Sequence, residues 1–393
     1  MAKVQGTCPA KFDAVKKVFE EQLASGEELG ASLVVNIDGE EVLDIWGGYK
    51  DTERKQPWEK DTIVNVWSSS KTVSALAVLM LIDQGKLDAF EKVSKYWPEF
   101  AANGKQDVEV RHFLSHTSGV SGWDQPTSPE EVFDIKKSTE KLAQQAPWWE
   151  PGTASGYHSL NMGHLLGELV RRVTGKSLTQ FVAEDIAAPL DADFQIGAAE
   201  KDWDRITPVV PPPPMPFDLS KLPQDSVMFK TFSGPTMKAE TSSTPEWRKA
   251  EIGAANGHSN ARGLNRTASV VSLGGTVNGK KFLSQKTIDL IFQEQVSGTD
   301  LVIAQPIRFG IGYGLKLAGD GPSGWFPQGK VCFWGGWGGS IVIMDVDRKM
   351  TVTYAMNKMG AGTLGNPRTQ AYVNEIYKAL GDDSVGTTPL PAV

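Results

Sequence analysis

Cysteine is nearly absent: 393 residues hold only Cys8 and Cys332, far apart in the chain. Two thiols cannot build a disulfide framework, so stability has to come from an apolar core, and reduced thiols in a reducing compartment are expected. Long apolar runs are also missing. The most apolar stretch, Val73 to Ile82, is interrupted by Ser74 and is too short for a bilayer, so it is expected to be a buried helix. Met1 to Gly6 lack the apolar centre of an export signal, which points to the cytoplasm and makes the formal glycosylation acceptor Asn265-Arg266-Thr267 accidental. Nor is there an excess of positive charge. The 40 Lys and Arg against 47 Asp and Glu leave a net charge of −7, which argues against nucleic acid or an anionic membrane as a partner. What the chain does have, 40% hydrophobic and 22% charged residues, suits one large domain or two intertwined lobes.

Phe12, Val15, Val18, Phe19 and Leu23 recur at helical spacing, so the chain is expected to open with an amphipathic helix over Cys8 to Ala24. Strand-like runs at Ala31 to Ile37 and Glu41 to Trp46 flank Asp38-Gly39, a tight hairpin dipeptide. A helix apolar nearly all round follows Ser68 and stops near Gly85; such a helix belongs in the centre of a core. Between Asp88 and about Thr207 the pattern is helices and turns with little strand alternation. Its clearest helix follows Ser159, with Met162, Leu165, Leu166, Leu169, Val170 and Val173 on one face and Gly175 as its stop. Pro211 to Pro214 then read as an extended loop or lid over 207–217. Strands are expected at Phe309 to Leu315, Val331 to Trp334, Ser340 to Asp345 and Met350 to Met356, with a turn at Asp347-Arg348. The last helix has Asn366 as N-cap, Pro367 at its first position and Gly381 as its stop. The reading is an α/β domain from 1–88 and 256–393, interrupted by a helical domain at 89–255, with a pocket at their junction.

Ser68-Ser69-Ser70-Lys71 stands where the apolar helix begins. One helical turn puts the Ser68 hydroxyl and the Lys71 amine on the same face. Free N–H groups and the positive dipole end at a helix start favour developing negative charge. A lysine desolvated beside an apolar helix can lose its proton near neutral pH and serve as a base. The tetrapeptide alone does not distinguish this from Ser68 acting as a helix N-cap.

The surrounding motifs do. Asp61-Thr62 before the tetrapeptide and Leu81-Ile82-Asp83-Gln84-Gly85-Lys86-Leu87-Asp88 after it resemble the first motif of class C β-lactamases, penicillin-binding proteins and family VIII carboxylesterases. Phe113-Leu114-Ser115-His116-Thr117-Ser118-Gly119 is similar to the turn that follows there. Pro151-Gly152 with Tyr157-His158-Ser159 resembles their Tyr-x-Asn motif, with Ser159 in the asparagine position. Asn260-Ala261-Arg262-Gly263, Phe309-Gly310-Ile311-Gly312-Tyr313-Gly314 and Phe333-Trp334-Gly335-Gly336-Trp337-Gly338-Gly339-Ser340 complete the series, in order, over nearly the whole chain.

The resemblance implies a β-lactamase/transpeptidase-like α/β fold: a central antiparallel sheet flanked by helices, plus the inserted helical domain. It implies Tyr157 as a second proton carrier, acting as a phenolate or a relay. The oxyanion hole would be the backbone N–H groups of Ser68 and Trp337. Trp334-Gly335-Gly336 would be the substrate-binding third motif, where penicillin-recognising relatives carry Lys-Thr-Gly. Glycines beside the nucleophile let a substrate carbonyl approach the backbone. Without a cation at Trp334, a neutral, hydrophobic small-molecule ester is the expected substrate, although Arg262 is a candidate to replace that cation.

Other arrangements are weaker. His112 and His116 are spaced for one helix face, but no third metal ligand stands at a recognisable spacing, so no metal or other cofactor is expected. Gly257-His258-Ser259-Asn260-Ala261 nearly matches a nucleophile elbow but lacks its β-branched approach strand. The reading is a serine esterase working through an acyl-enzyme on Ser68. Acyl transfer with the same residues, a β-lactamase or D-amino peptidase, and a non-catalytic binding protein on this fold remain as alternatives. Oligomeric state is not legible.

Overall fold

The structure, a computed structural model, describes residues 3–214, 218–318 and 321–386. Among them nine strands form one antiparallel sheet. Across it the order is Gln5–Thr7, Glu40–Gly48, Gly30–Ile37, Met350–Met356, Ile341–Asp345, Val331–Gly335, Gly314–Leu315, Pro306–Phe309 and Val296–Thr299. The first and last stretches of the chain thus meet in one sheet, where Gly30–Ile37 pairs with Met350–Met356. The expected hairpin forms at Asp38 and Gly39, both at positive φ (52° and 95°), which is the geometry that favours this dipeptide.

Met350–Met356 is buried at every position because helices cover both faces. Successive side chains of a strand point to opposite faces. On one face, Thr351 and Thr353 hydrogen-bond to the helix Ala261–Ser272, through Ser272 and the Ala261 carbonyl. On the other, Tyr354 packs against Tyr372 of the final helix Pro367–Ala379, with ring centroids 5.2 Å apart. That helix starts as expected: the Asn366 side chain accepts from the N–H groups of Arg368 and Thr369. The opening helix, Asp13–Ser25, lies against it and is preceded by a short 3₁₀ turn, so the regular α-helix starts later than the spacing suggested.

The apolar helix is Ser70–Asp83, buried from Ser70 to Leu81. It packs on Met162–Thr174, the helix expected after Ser159. A Cβ on Gly163 would fall 2.4 Å from the Ala254 nitrogen, so glycine there lets residues 253–254 cross close to both helices. Ser74 Oγ donates to the Gly253 carbonyl at 2.6 Å and fixes that crossing.

One feature was not expected. Val64–Asn65, Gly257–Ser259 and Phe194–Ile196 form a small antiparallel sheet, with one strand from each of the segments 1–88, 256–393 and 89–255. Residues 89–255 therefore contribute a strand as well as helices. The expected strand Phe309 to Leu315 is also divided, because Gly310 to Tyr313 leave the sheet. Val210 bridges to the main body through Asn357 and Met359, and Pro211 to Pro214 are irregular. Residues 215–217 of the expected lid lie outside the described residues.

Candidate active site

The residue before the candidate nucleophile is Trp67, held at φ 49°, a conformation that is costly for a bulky side chain. Its ring is packed between Trp247 and Trp337, with centroids 5.6 and 5.1 Å away. The tight turn is closed by Ser69 N–H to the Val66 carbonyl (3.2 Å) and Ser70 N–H to the Trp67 carbonyl (2.9 Å). This geometry separates Ser68 from the helix: the N-cap position falls on Ser69, and Ser68 does not cap. The Ser68 hydroxyl instead faces the Lys71 amine at 3.1 Å.

Lys71 is 2% exposed. Its Nζ also donates to the backbone carbonyls of Ser159 (2.8 Å) and Ala254 (3.0 Å). Burial holds its pKa well below that of an ordinary lysine, and no carboxylate opposes the shift. A neutral amine has two N–H bonds and one lone pair. In that form the two carbonyls would take the N–H bonds and leave the lone pair for the Ser68 O–H. Position 159 therefore contributes its carbonyl, which any residue supplies, and this accounts for serine where the related motif has asparagine.

The Tyr157 ring lies 4.7 Å from Lys71 Nζ. Its hydroxyl accepts the indole N–H of Trp334 at 3.1 Å and is also hydrogen-bonded to Ser68. Burial raises the pKa of this phenol, outweighing the opposing effect of those two hydrogen bonds. Of the two roles considered for Tyr157, this disfavours the phenolate.

Two supports behind Tyr157 were not anticipated. Asp300, 1% exposed, accepts from the Tyr157 N–H (3.1 Å), the Ser155 hydroxyl (2.7 Å) and the N–H groups of Val302 and Ile303. No sequence signal marks it. His116 stacks between Tyr157, Phe309 and Trp334, and its Nδ1 accepts the His158 N–H at 2.9 Å. His112, its partner in the spacing considered for a metal, instead accepts the Glu109 N–H in a capping box.

Trp334 is buried, and its N–H is engaged by Tyr157, so it positions that phenol. Gly335 and Gly336 meet protein where a Cβ would stand: the Thr363 carbonyl lies 2.3 Å from one, and the Val66 carbonyl and Ser340 Oγ each 2.3 Å from the other. At Gly336 glycine is required because the turn after the strand closes onto the Ser68 turn, and at Gly335 because the chain at Thr363 crosses close by. Trp337 follows in that turn. Among the described residues neither its N–H nor that of Ser68 has a hydrogen-bond acceptor. Arg262 does not supply the missing cation, because its guanidinium is held by Asp44 at 2.6 and 2.8 Å and by the Lys60 carbonyl.

An antiparallel sheet carrying a glycine-rich turn against the start of a buried helix, with further helices packed around them, is the β-lactamase/transpeptidase fold. The family model described as Beta-lactamase matches residues 15–374, and the chain belongs to that family. It is 30% identical over 321 residues to "Esterase/beta-lactamase LipL" of Mycobacterium tuberculosis, covering 79% of this chain and 74% of that protein. Among solved structures, a family VIII carboxylesterase superposes with a TM-score of 0.90 at 35% identity, over 96% of this chain and all of the other (100%). A penicillin-binding protein homologue from Caulobacter crescentus gives a TM-score of 0.88, also at 35% identity, over 96% and 100% of the two chains.

Proposed function

We propose that the chain is a serine hydrolase that cleaves small, neutral carboxylic esters through an acyl-enzyme on Ser68. The observation that carries this reading is the buried Lys71 amine, 3.1 Å from Ser68 Oγ with its N–H bonds occupied by two carbonyls. Similarity to the family VIII carboxylesterase and to LipL supports hydrolase chemistry in this family.

In this mechanism Lys71 takes the hydroxyl proton as Ser68 Oγ bonds to the ester carbonyl carbon. The oxyanion is held by the N–H groups of Ser68 and Trp337. As the tetrahedral intermediate collapses, Tyr157 gives its proton to the leaving alkoxide and recovers one from the Lys71 ammonium. Water then attacks the acyl carbon, its proton passing to Lys71. The intermediate collapses by breaking the bond to Ser68 Oγ, Lys71 returns the proton to that oxygen, and the carboxylic acid leaves.

The test is incubation with a series of p-nitrophenyl esters followed by intact-mass measurement. An adduct of acyl mass on the wild-type chain, absent from Ser68→Ala together with turnover, is expected. A folded Ser68→Ala variant that turned over at the wild-type rate would end the reading.

A further inference from the structure

The two proposed oxyanion donors lie on different parts of the fold. The Ser68 N–H is in the turn before the buried helix, and the Trp337 N–H is in the turn after the strand Val331–Gly335. An oxyanion hole works only if both donors reach one oxygen at hydrogen-bonding distance, so something has to fix their separation.

The outer side of the Trp337 turn is tied to the end of the chain. Gly338 N–H donates to the Gly362 carbonyl (3.0 Å), Asn366 Nδ2 to the Gly338 carbonyl (2.9 Å) and Thr369 Oγ1 to the Gly339 carbonyl (2.8 Å). None of these bonds reaches the Ser68 turn. Among the described residues, every hydrogen bond between 66–69 and 336–340 passes through one atom, Ser340 Oγ. It donates to the Val66 carbonyl at 3.1 Å. Its proton is thereby placed, so at 2.9 Å the Ser69 hydroxyl donates to it. Both serines are buried, and the Ser69 hydroxyl has no other hydrogen bond among the described residues. Gly336, with Val66 O and Ser340 Oγ each 2.3 Å from its Cβ position, admits this close approach.

We propose that Ser340, braced by Ser69, is a positioning residue that sets the spacing of the Ser68 and Trp337 N–H groups and so tunes oxyanion stabilisation. The proposal rests on the reading of those groups as the oxyanion hole. Neither hydroxyl touches substrate; each acts through the backbone it holds.

The test compares Ser340→Ala, Ser69→Ala and the double variant with wild type. The measurements are kcat/KM for p-nitrophenyl butyrate, its pH profile, and inhibition by butylboronic acid, which forms a tetrahedral adduct on the nucleophile. In Ser340→Ala, kcat/KM is expected to fall by about tenfold or more, less than the roughly 10²- to 10³-fold cost of removing an oxyanion donor outright, because the donors are displaced and not deleted. The inhibition constant should rise by a similar factor, while the acid limb of the pH profile, set by Lys71, stays in place. Ser69→Ala should show a smaller loss in the same direction, and the double variant should be no worse than Ser340→Ala. A folded Ser340→Ala with wild-type kcat/KM, or one that loses kcat/KM without losing boronate affinity, overturns the proposal. If Ser340→Ala does not fold, Ser69→Ala decides alone: parallel losses support the strut and unchanged values overturn it. An active Ser68→Ala would instead remove the underlying reading, so the two failures are distinguishable.

Discussion

At the scale of single residues the proposed mechanism asks a lysine to give up its charge. An unfolded chain would protonate Lys71 below about pH 10.4, whereas burial holds the folded amine's pKa well below that value. Between those two values the unfolded state binds a proton that the native state does not, so stability rises with pH across that window. Methionine at this position does not titrate. The stability of wild type relative to Lys71→Met is therefore expected to increase from pH 7 to pH 9, by up to about 1.4 kcal/mol per pH unit. Denaturant unfolding of both proteins at several pH values measures this, and a constant difference would mean that Lys71 stays protonated when folded. Lys71→Met should also lose at least about 10²-fold in turnover, the usual contribution of a positioned base. Wild-type activity should fall as pH drops through the depressed Lys71 pKa. On the alkaline side the raised Tyr157 pKa should keep the phenol protonated past pH 10. Ser68, Lys71 and Tyr157 could be picked out as candidates because each sits in a short motif of fixed spacing, and the structure brings the three side chains together. The Ser159 and Ala254 carbonyls could not, since a backbone acceptor leaves no mark on residue identity.

At the scale of elements, long amphipathic or apolar segments were legible and short ones were not. The helices Ser70–Asp83, Met162–Thr174 and Pro367–Ala379 carry several turns of periodic burial together with capping or stop residues. Phe194–Ile196, by contrast, has three residues, too few for alternation to show, and its pairing with Gly257–Ser259 is set by tertiary packing. The glycine cluster was legible as important, but its physical reason changed: at Gly335 and Gly336 the space is needed by protein. Gly336→Ala gives this a measurable form. A methyl placed 2.3 Å from the Val66 carbonyl must push the turn and the Ser68 loop apart. Overpacking of this kind costs about 1–3 kcal/mol, so the variant should unfold at lower denaturant concentration. Activity should fall further than stability explains, because the shift moves the Trp337 N–H. A variant with wild-type melting and kcat/KM would show that the turn yields freely.

At the scale of the whole molecule, the arrangement of charge bears on which carbonyl the site accepts. Penicillin-recognising relatives meet the substrate carboxylate with a cation at the position of Trp334, and here that position is an indole whose N–H is held by Tyr157. Arg262 lies in a polar groove with Glu41, Asp44, Asp191 and Arg266, where Asp44 pairs with Arg262, and Glu41 and Asp191 with Arg266. The chain as a whole carries −7, so its long-range field gives an anionic substrate no assistance. A charge-assisted contact to a carboxylate contributes on the order of 1.5–3 kcal/mol, or roughly ten- to a hundredfold in binding. Losing it penalises a β-lactam and leaves a neutral ester unaffected. Short-chain p-nitrophenyl esters should therefore be turned over with a higher kcat/KM than nitrocefin. Replacing Trp334 by lysine should not reverse the order, because it would also remove the buried indole that packs against Tyr157, His116 and Phe309. Specificity constants for both substrate classes on wild type and Trp334→Lys make the comparison. Nitrocefin equal to or above the esters on wild type would require a carboxylate-binding cation elsewhere near Ser68 and would favour β-lactam hydrolysis over ester hydrolysis.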